Sequence, residues 1–248
     1  ALAHDISTLT TLPYNEPFRP LVVQRRADWN ASRSFDNHAQ HDANEALHTF
    51  RNIDPHVRPD SSTAYTTPHW KLFGALVQET TRCSNCPHLI VKHDVCSSFS
   101  VAVPRTGRPT IETLFTDTLG NEALDDADDR CAQCEAYGCR SKETILVRKP
   151  QVLVLHLKRW SFNRALLRPD KIHTPVSFET LLPLDADSSY DLRSVVVHHG
   201  QAGGGHYTAF VRAQDNRWYS CDDSLPPRAC STEEALSAQA YMLLYERR

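Results

Sequence analysis

Residues 190–223 read YDLRSVVVHHGQAGGGHYTAFVRAQDNRWYSCDD, and this stretch sets how the rest of the chain is read. Two apolar, β-branched runs, residues 194–199 and 207–211, flank Gly200-Gln201-Ala202-Gly203-Gly204-Gly205. Such runs on either side of a glycine-rich join predict two antiparallel strands connected as a hairpin. His206 stands where the glycines end and the second strand begins. Asp222 and Asp223 follow a further strand-like run at 217–220. A histidine at a strand start, with a carboxylate at the end of the next strand, is the arrangement of an oriented base. The carboxylate holds one ring nitrogen while the other faces a nucleophile. A hairpin histidine without chemistry has the same local signature, so the remaining sequence has to separate the two.

The chain has 248 residues, 40% of them hydrophobic and 23% charged, which is globular composition with enough length for a sizeable core. A net charge of −3, from 27 basic and 30 acidic side chains, argues against nucleic acid as the main partner. No apolar run reaches the ~20 residues that span a bilayer, so no membrane association is expected. The opening ALAHDISTLT lacks the basic start and apolar middle of a signal peptide. The first residue is Ala1 and the only methionine is Met242, so the chain is expected to be a piece of a longer protein.

Outward from the hairpin, the pattern is α+β. Residues 1–35 are polar and interrupted by Pro13, Pro17 and Pro20, with a short strand possible at 21–23. Residues 36–53 predict a helix that starts at Asp36 or Asn37. Ala43, Leu47, Phe50 and Ile53 lie on one face, with Gln40, His41, Asp42 and Glu45 opposite. Strands are expected at 71–78, 97–103, 143–148 and 151–158, the last buried and central, and again at 241–245. A short helix opens at Pro109 and ends at Gly120, with Ile111, Leu114 and Phe115 inward. Ser231-Thr232-Glu233-Glu234 has capping-box spacing. The acidic run at 125–129 and the polar run at 161–175 read as loops.

Of the eight cysteines, four form two Cys-x-x-Cys pairs, Cys83/Cys86 and Cys131/Cys134. That spacing lets both sulfurs of a turn face one centre. Four thiolates with no open position describe a structural zinc site rather than a catalytic one. With residues 87–130 between them, the pairs are expected at the tips of two strand pairs that return to each other. Disulfides within each turn, or unrelated reduced pairs, are the alternatives. Cys96 reads as a small core residue. Cys139 could compete as a ligand.

Several blocks, in order, resemble the ubiquitin-specific proteases, the cysteine-protease family of deubiquitinating enzymes. They are Gln40-His41-Asp42-Ala43-Asn44-Glu45, the two Cys-x-x-Cys pairs, Leu157-Lys158-Arg159-Trp160, Gly205-His206-Tyr207, and Trp218 with Asp222-Asp223-Ser224 and residues 241–245. The resemblance implies a papain-like hand: a partial thumb at 1–70, zinc-bearing fingers at about 71–148 and a β palm at about 149–248. It implies hydrolysis of the isopeptide bond after the C-terminal glycine of ubiquitin, with ubiquitin and ubiquitinated proteins as partners. His206 would be the general base, Asp222 its orienter and Asp223 a helper. Gln40, Asp42, Gly205 and Tyr207 would line the path of the Leu-Arg-Gly-Gly tail. Zn2+ would be structural, one ion on Cys83, Cys86, Cys131 and Cys134. Reduced cysteines fit cytoplasm or nucleus.

One part of the family pattern is missing. The family's nucleophilic cysteine lies in a box upstream of the Gln-Gln-Asp helix, and residues 1–39 contain no cysteine. His41 also replaces the second glutamine, and Trp160 stands for the usual phenylalanine. Two expectations follow. Either the box precedes Ala1 in an active thiol protease, or the protein is a ubiquitin-binding pseudoprotease that has lost its nucleophile.

Overall fold

The computed structural model describes residues 42–52, 68–124, 129–163, 167–201, 204–223 and 225–248. The expected strand at 21–23, Gln40, the side chain of Phe50, Ile53, and most of the acidic run lie outside what it describes.

The larger sheet is built on the apolar runs that the sequence marks. β10 (Ser188–Gln201) pairs with β11 (Gly204–Arg212) on one side and β14 (Ala240–Arg247) on the other. The order is β13-β12-β11-β10-β14-β6-β3, with β6 at Val152–Lys158, β3 at Phe99–Ala102, β12 at Trp218–Cys221 and β13 at Arg228–Cys230. All these pairs are antiparallel except β3 on β6, and β9 (Leu181–Asp185) pairs separately with β10.

β6 reads VLVLHLK because both of its faces are covered. Leu153, Leu155 and Leu157 face the main core with Leu192, Val195, Leu243 and Tyr245. α3 (Ile111–Leu119) packs Ile111, Leu114 and Phe115 there as expected, and Phe115 meets Phe99 edge-on at 5.2 Å. Thr110 caps this helix, and it ends at Gly120. On the opposite face Val154, Tyr241 and Met242 form a second cluster that receives Ala43 and Leu47 of α1 (Ala43–Asn52). Ser231 forms the N-cap of α4 (Thr232–Leu236), accepting from the Glu234 N–H, while the Glu234 carboxylate pairs with Arg228 instead of completing a capping box.

The smaller sheet has the order β2-β1-β5-β4, with β1 at Ala75–Cys83, β2 at Leu89–Cys96, β4 at Asn121–Leu124 and β5 at Arg140–Arg148. β3 and α3 fall between its strands in sequence but belong to the larger core.

Three expectations are corrected. α1 starts at Ala43 rather than near residue 37, because Asp42 is its N-cap: Oδ1 accepts from the N–H groups of Asn44 (2.8 Å) and Glu45 (3.0 Å). The strand expected at 71–78 is preceded by a helix, α2 (Pro68–Phe73). Proline favours a first helical turn, and Gly74 ends it where a Cβ would lie 2.3 Å from the Trp70 carbonyl oxygen. The polar run at 161–175 holds a hairpin, β7 (Trp160–Asn163) on β8 (Arg168–Lys171). Its mostly polar residues carry no apolar alternation to announce a strand.

Candidate active site and metal centre

His206 lies near the start of β11 and Asp222 just beyond the end of β12. Because Ala209 pairs with Cys221, the chain leaving β12 runs beside the start of β11. That register brings His206 Nε2 to 2.5 Å from Asp222 Oδ1. Nδ1 faces away from Asp222 and lies 3.8 Å from Asp223 Oδ2. The hydrogen bond to Asp222 raises the His206 pKa, and the charges of Asp222 and Asp223 add to the rise against a weaker desolvation effect. Asp223 adopts a left-handed backbone (φ 43°), a conformation that Asp tolerates, and the Leu225 N–H closes the turn on the Asp222 carbonyl at 2.9 Å. Both members of the pair are close to half exposed, so a reacting group can reach Nδ1. The donor atoms of His206, Asp222 and Asp223 all lie within 4.8 Å of one another, so these side chains could also hold a cation.

What fixes this hairpin was not legible in the sequence. Lys171 at the end of β8 is buried, and no carboxylate is among its hydrogen-bond partners among the described residues. Its Nζ donates to the carbonyls of His198 (2.7 Å) and Gly200 (3.2 Å) and lies 3.1 Å from His198 Nδ1. An ammonium has no lone pair, so Nδ1 of His198 accepts and the ring is neutral with its proton on Nε2. Burial and then Lys171 push the His198 pKa down, in keeping with that tautomer. Gly205 crosses directly over this ring: a Cβ there would lie 2.3 Å from His198 Nε2 and 2.2 Å from the His199 carbonyl oxygen. The glycine before His206 is therefore required by packing inside the hairpin. Arg159, also buried, donates to the carbonyls of Ala240 (2.6 Å), Ile172 (3.1 Å) and Thr174 (2.9 Å), which ties the chain leaving β8 to β14.

Asp42 and Tyr207 are brought together. Besides capping α1, the Asp42 carboxylate accepts from the Tyr207 hydroxyl at 3.3 Å and from the Tyr241 hydroxyl. Burial raises its pKa, but the Tyr241 hydroxyl and the N–H groups of Glu45 and Asn44 outweigh that and hold it below the usual carboxylate range. This carboxylate thus joins α1 to β11 and β14. Two tyrosines with matching polarity at distant positions were the only sequence trace of this role.

At the tip of the smaller sheet the two Cys-x-x-Cys turns meet. The sulfurs of Cys83, Cys86, Cys131 and Cys134 lie within 4.8 Å of one another, with Cys83–Cys134 at 3.7 Å and Cys86–Cys131 at 3.6 Å. Metal–sulfur bonds of about 2.3 Å place tetrahedral sulfurs about 3.8 Å apart, so the donor set fits a four-coordinate ion. All eight cysteines are free thiols, which removes the disulfide alternative. The N–H groups of Cys134 and Gln133, with His88 beside the sulfur, lower the Cys131 thiol to about 5 against the opposing effect of burial, whereas burial pushes the Cys86 thiol up. Glu135, directly after the second pair, is left-handed (φ 61°) and is held by Arg130, whose Nε donates to the Glu135 carbonyl at 3.1 Å. Cys139 lies 3.4 Å from Cys83 and donates to the Ala136 carbonyl.

The family model described as ubiquitin carboxyl-terminal hydrolase matches residues 1–245. Ubiquitin carboxyl-terminal hydrolase 44-B of Xenopus laevis is 30% identical over 299 aligned residues, covering 100% of this chain and 41% of that protein. Ubiquitin carboxyl-terminal hydrolase 23 of Arabidopsis thaliana is 28% identical, covering 87% of this chain and 26% of that protein. The chain thus spans less than half the length of these relatives. Among solved structures, the SAGA Ubp8/Sgf11/Sus1/Sgf73 DUB module bound to ubiquitin aldehyde superposes with a TM-score of 0.77 at 22% identity. That match covers 92% of this chain and 54% of the other.

Proposed function

The chain belongs to the ubiquitin carboxyl-terminal hydrolase family, with the papain-like hand of that family, and from this premise we propose that it carries the base half of a deubiquitinating thiol-protease centre. The 2.5 Å contact between His206 and Asp222 is the observation that carries the reading. Asp222 fixes the ring and stabilises the imidazolium. Nδ1 takes the proton of a cysteine thiol, and the thiolate attacks the carbonyl of ubiquitin's C-terminal glycine. His206 then protonates the leaving lysine amine, and water releases ubiquitin. Asp223 supports the same imidazolium. Residues 1–70, about 71–148 and about 149–248 serve as partial thumb, fingers and palm of one domain. Asp42, Gly205 and Tyr207 border the tail path, and the family resemblance assigns Gln40, outside the described residues, to the same role. Asp42 acts there chiefly by positioning α1, because its oxygens already accept from two N–H groups and two hydroxyls.

Zinc is the ion we assign to Cys83, Cys86, Cys131 and Cys134, since four thiolates suit it and no redox or open position is offered. Its part is to hold the fingers together. Ubiquitin and ubiquitinated proteins are the partners, and the reduced thiols fit cytoplasm or nucleus. Among the described residues no helix is long and apolar enough to cross a membrane.

The alternative, a ubiquitin-binding scaffold without turnover, draws on one observation. The ring of His206 makes its polar contacts with two carboxylates, while five of the eight cysteines gather at the other sheet. A fluorogenic ubiquitin C-terminal amide separates the readings. In the protein that supplies the nucleophilic thiol, His206→Ala should lower turnover by about 10³-fold or more while leaving monoubiquitin binding unchanged. An unchanged rate removes His206 from the chemistry. Turnover by these 248 residues alone would instead assign the nucleophile to one of the eight cysteines.

A further inference from the structure

The thiol cluster contains one more sulfur than a tetrahedral ion can use, and its placement is specific. Cys139 Sγ lies 3.4 Å from Cys83 Sγ, closer than Cys83–Cys134 or Cys86–Cys131. It is not part of the mutually adjacent four-sulfur group, and its S–H points to the Ala136 carbonyl at 3.4 Å. It is therefore a thiol beside the ligand set rather than a fifth ligand. The backbone fixes the pair: Cys83 is in register with Arg140, and Ser84 donates to the Cys139 carbonyl through its N–H (2.7 Å) and its hydroxyl (3.2 Å). Cys139 itself is buried, while Cys83 is partly accessible, so of this pair an oxidant meets Cys83 first.

We propose that Cys83 and Cys139 form a thiol–disulfide switch that releases the structural metal when the fingers meet a hydroperoxide. The Cys83 thiolate attacks the peroxide. An S–O bond forms, the O–O bond breaks, and hydroxide leaves. Cys139 then attacks the sulfenic sulfur: the S–S bond forms, the S–O bond breaks, and the second hydroxide departs as water with the thiol proton. One thiolate and one thiol lose two electrons, and hydrogen peroxide is reduced to one hydroxide and one water. Losing one of four thiolates, the site lets the ion go. The four ligands cannot pair as readily while bound, because the ion holds them apart at the corners of its tetrahedron. Among the described residues, Cys139 is the one sulfur outside the set that lies against a ligand; the other outside contact, His88 Nδ1 at 3.3 Å from Cys131, cannot form a disulfide. A dithiol reductant restores Cys83 and the site reloads.

The inference rests on the four-thiolate metal site, and the experiment separates the two. The purified 248-residue chain is analysed for metal, then titrated with hydrogen peroxide while released zinc is followed with a chromogenic chelator and disulfides are mapped by peptide mass spectrometry. The expected result is one zinc per chain at rest, one Cys83–Cys139 disulfide per zinc released, and full reloading after dithiothreitol. Cys139→Ser should bind the same zinc at rest but give no such disulfide, and should reload to less than half because Cys83 proceeds to sulfinic acid. A chain that folds without metal overturns the metal site and this proposal together. A loaded chain whose first disulfide joins Cys83 to Cys86 or Cys131 to Cys134 overturns the proposal alone, as does zinc loss at rest in Cys139→Ser.

Discussion

At the tip of the smaller sheet, the side chains that matter are held by thiols; at the His206 end of the larger sheet, they are held by a core. Leu89 and Val91 on β2 and Ile145 and Val147 on β5 are each 43–50% exposed, so the smaller sheet gains little from burying them. Beneath the hairpin that carries His206, Val195, Leu243 and Leu155 are fully buried, and a buried lysine ties the strand end to its neighbours. The difference teaches where each region is vulnerable. Apolar burial spreads stability over many contacts, so a polar change at the surface leaves the fold standing. A four-thiolate site concentrates stability in one coordination sphere, so a single change there removes most of it.

Metal removal is the largest test of that contrast. Structural zinc sites contribute on the order of 10 kcal/mol at neutral pH. Chelation, or Cys131→Ser, should abolish amide-exchange protection in β1, β2 and β5 while β10, β11 and β14 keep theirs. Equal loss in both sheets would show that the larger core depends on the metal and break the comparison.

Asp222→Asn should come next in size. An amide cannot stabilise the imidazolium, and turnover in the protein that supplies the thiol should drop by roughly 10²–10⁴-fold with no change in fold. The sign of the accompanying pH effect is fixed. Asp222 raises the folded pKa of His206, so the variant should lose the His206 proton at lower pH than the parent, as read by NMR of its ring. Any stability from the pair is complete below the unfolded histidine pKa and fades as pH rises through the raised folded one. A shift to higher pH in the variant would contradict the assignment.

Asp42→Ala probes a smaller coupling, between α1 and the larger sheet. Losing the cap and two tyrosine hydroxyl bonds should cost about 2 kcal/mol in denaturant unfolding. Asp42 has a depressed pKa, so its contribution is present above the unfolded carboxylate value and is lost as pH falls through the lower folded one. The stability difference between parent and variant should therefore shrink in acid. A difference that is flat with pH would mean the carboxylate charge does not matter.

The features that could be read without coordinates are those whose signal lies in neighbouring residues. Two Cys-x-x-Cys turns, the glycines before His206, the VLVLHLK run and the Ser231 cap each carry their geometry in spacing or residue type. The β7–β8 hairpin and helix α2 escaped because their residues lack the expected period and because proline at 68 and glycine at 74 act by context. Asp42 was assigned to a helix face, yet it is the cap of α1, and its partners Tyr207 and Tyr241 lie on two other elements.

Sequence by itself determined the α+β class, the family, the four candidate ligands and the histidine–aspartate pair, because each depends on short-range pattern or on residue types with few other uses. Only the tertiary structure decided that Lys171 anchors the hairpin through backbone carbonyls, that Gly205 is demanded by the His198 ring, and that Cys139 stands beside Cys83 outside the ligand set. Those are contacts between strands, and nothing in the spacing of one strand specifies which side chain of another will lie against it.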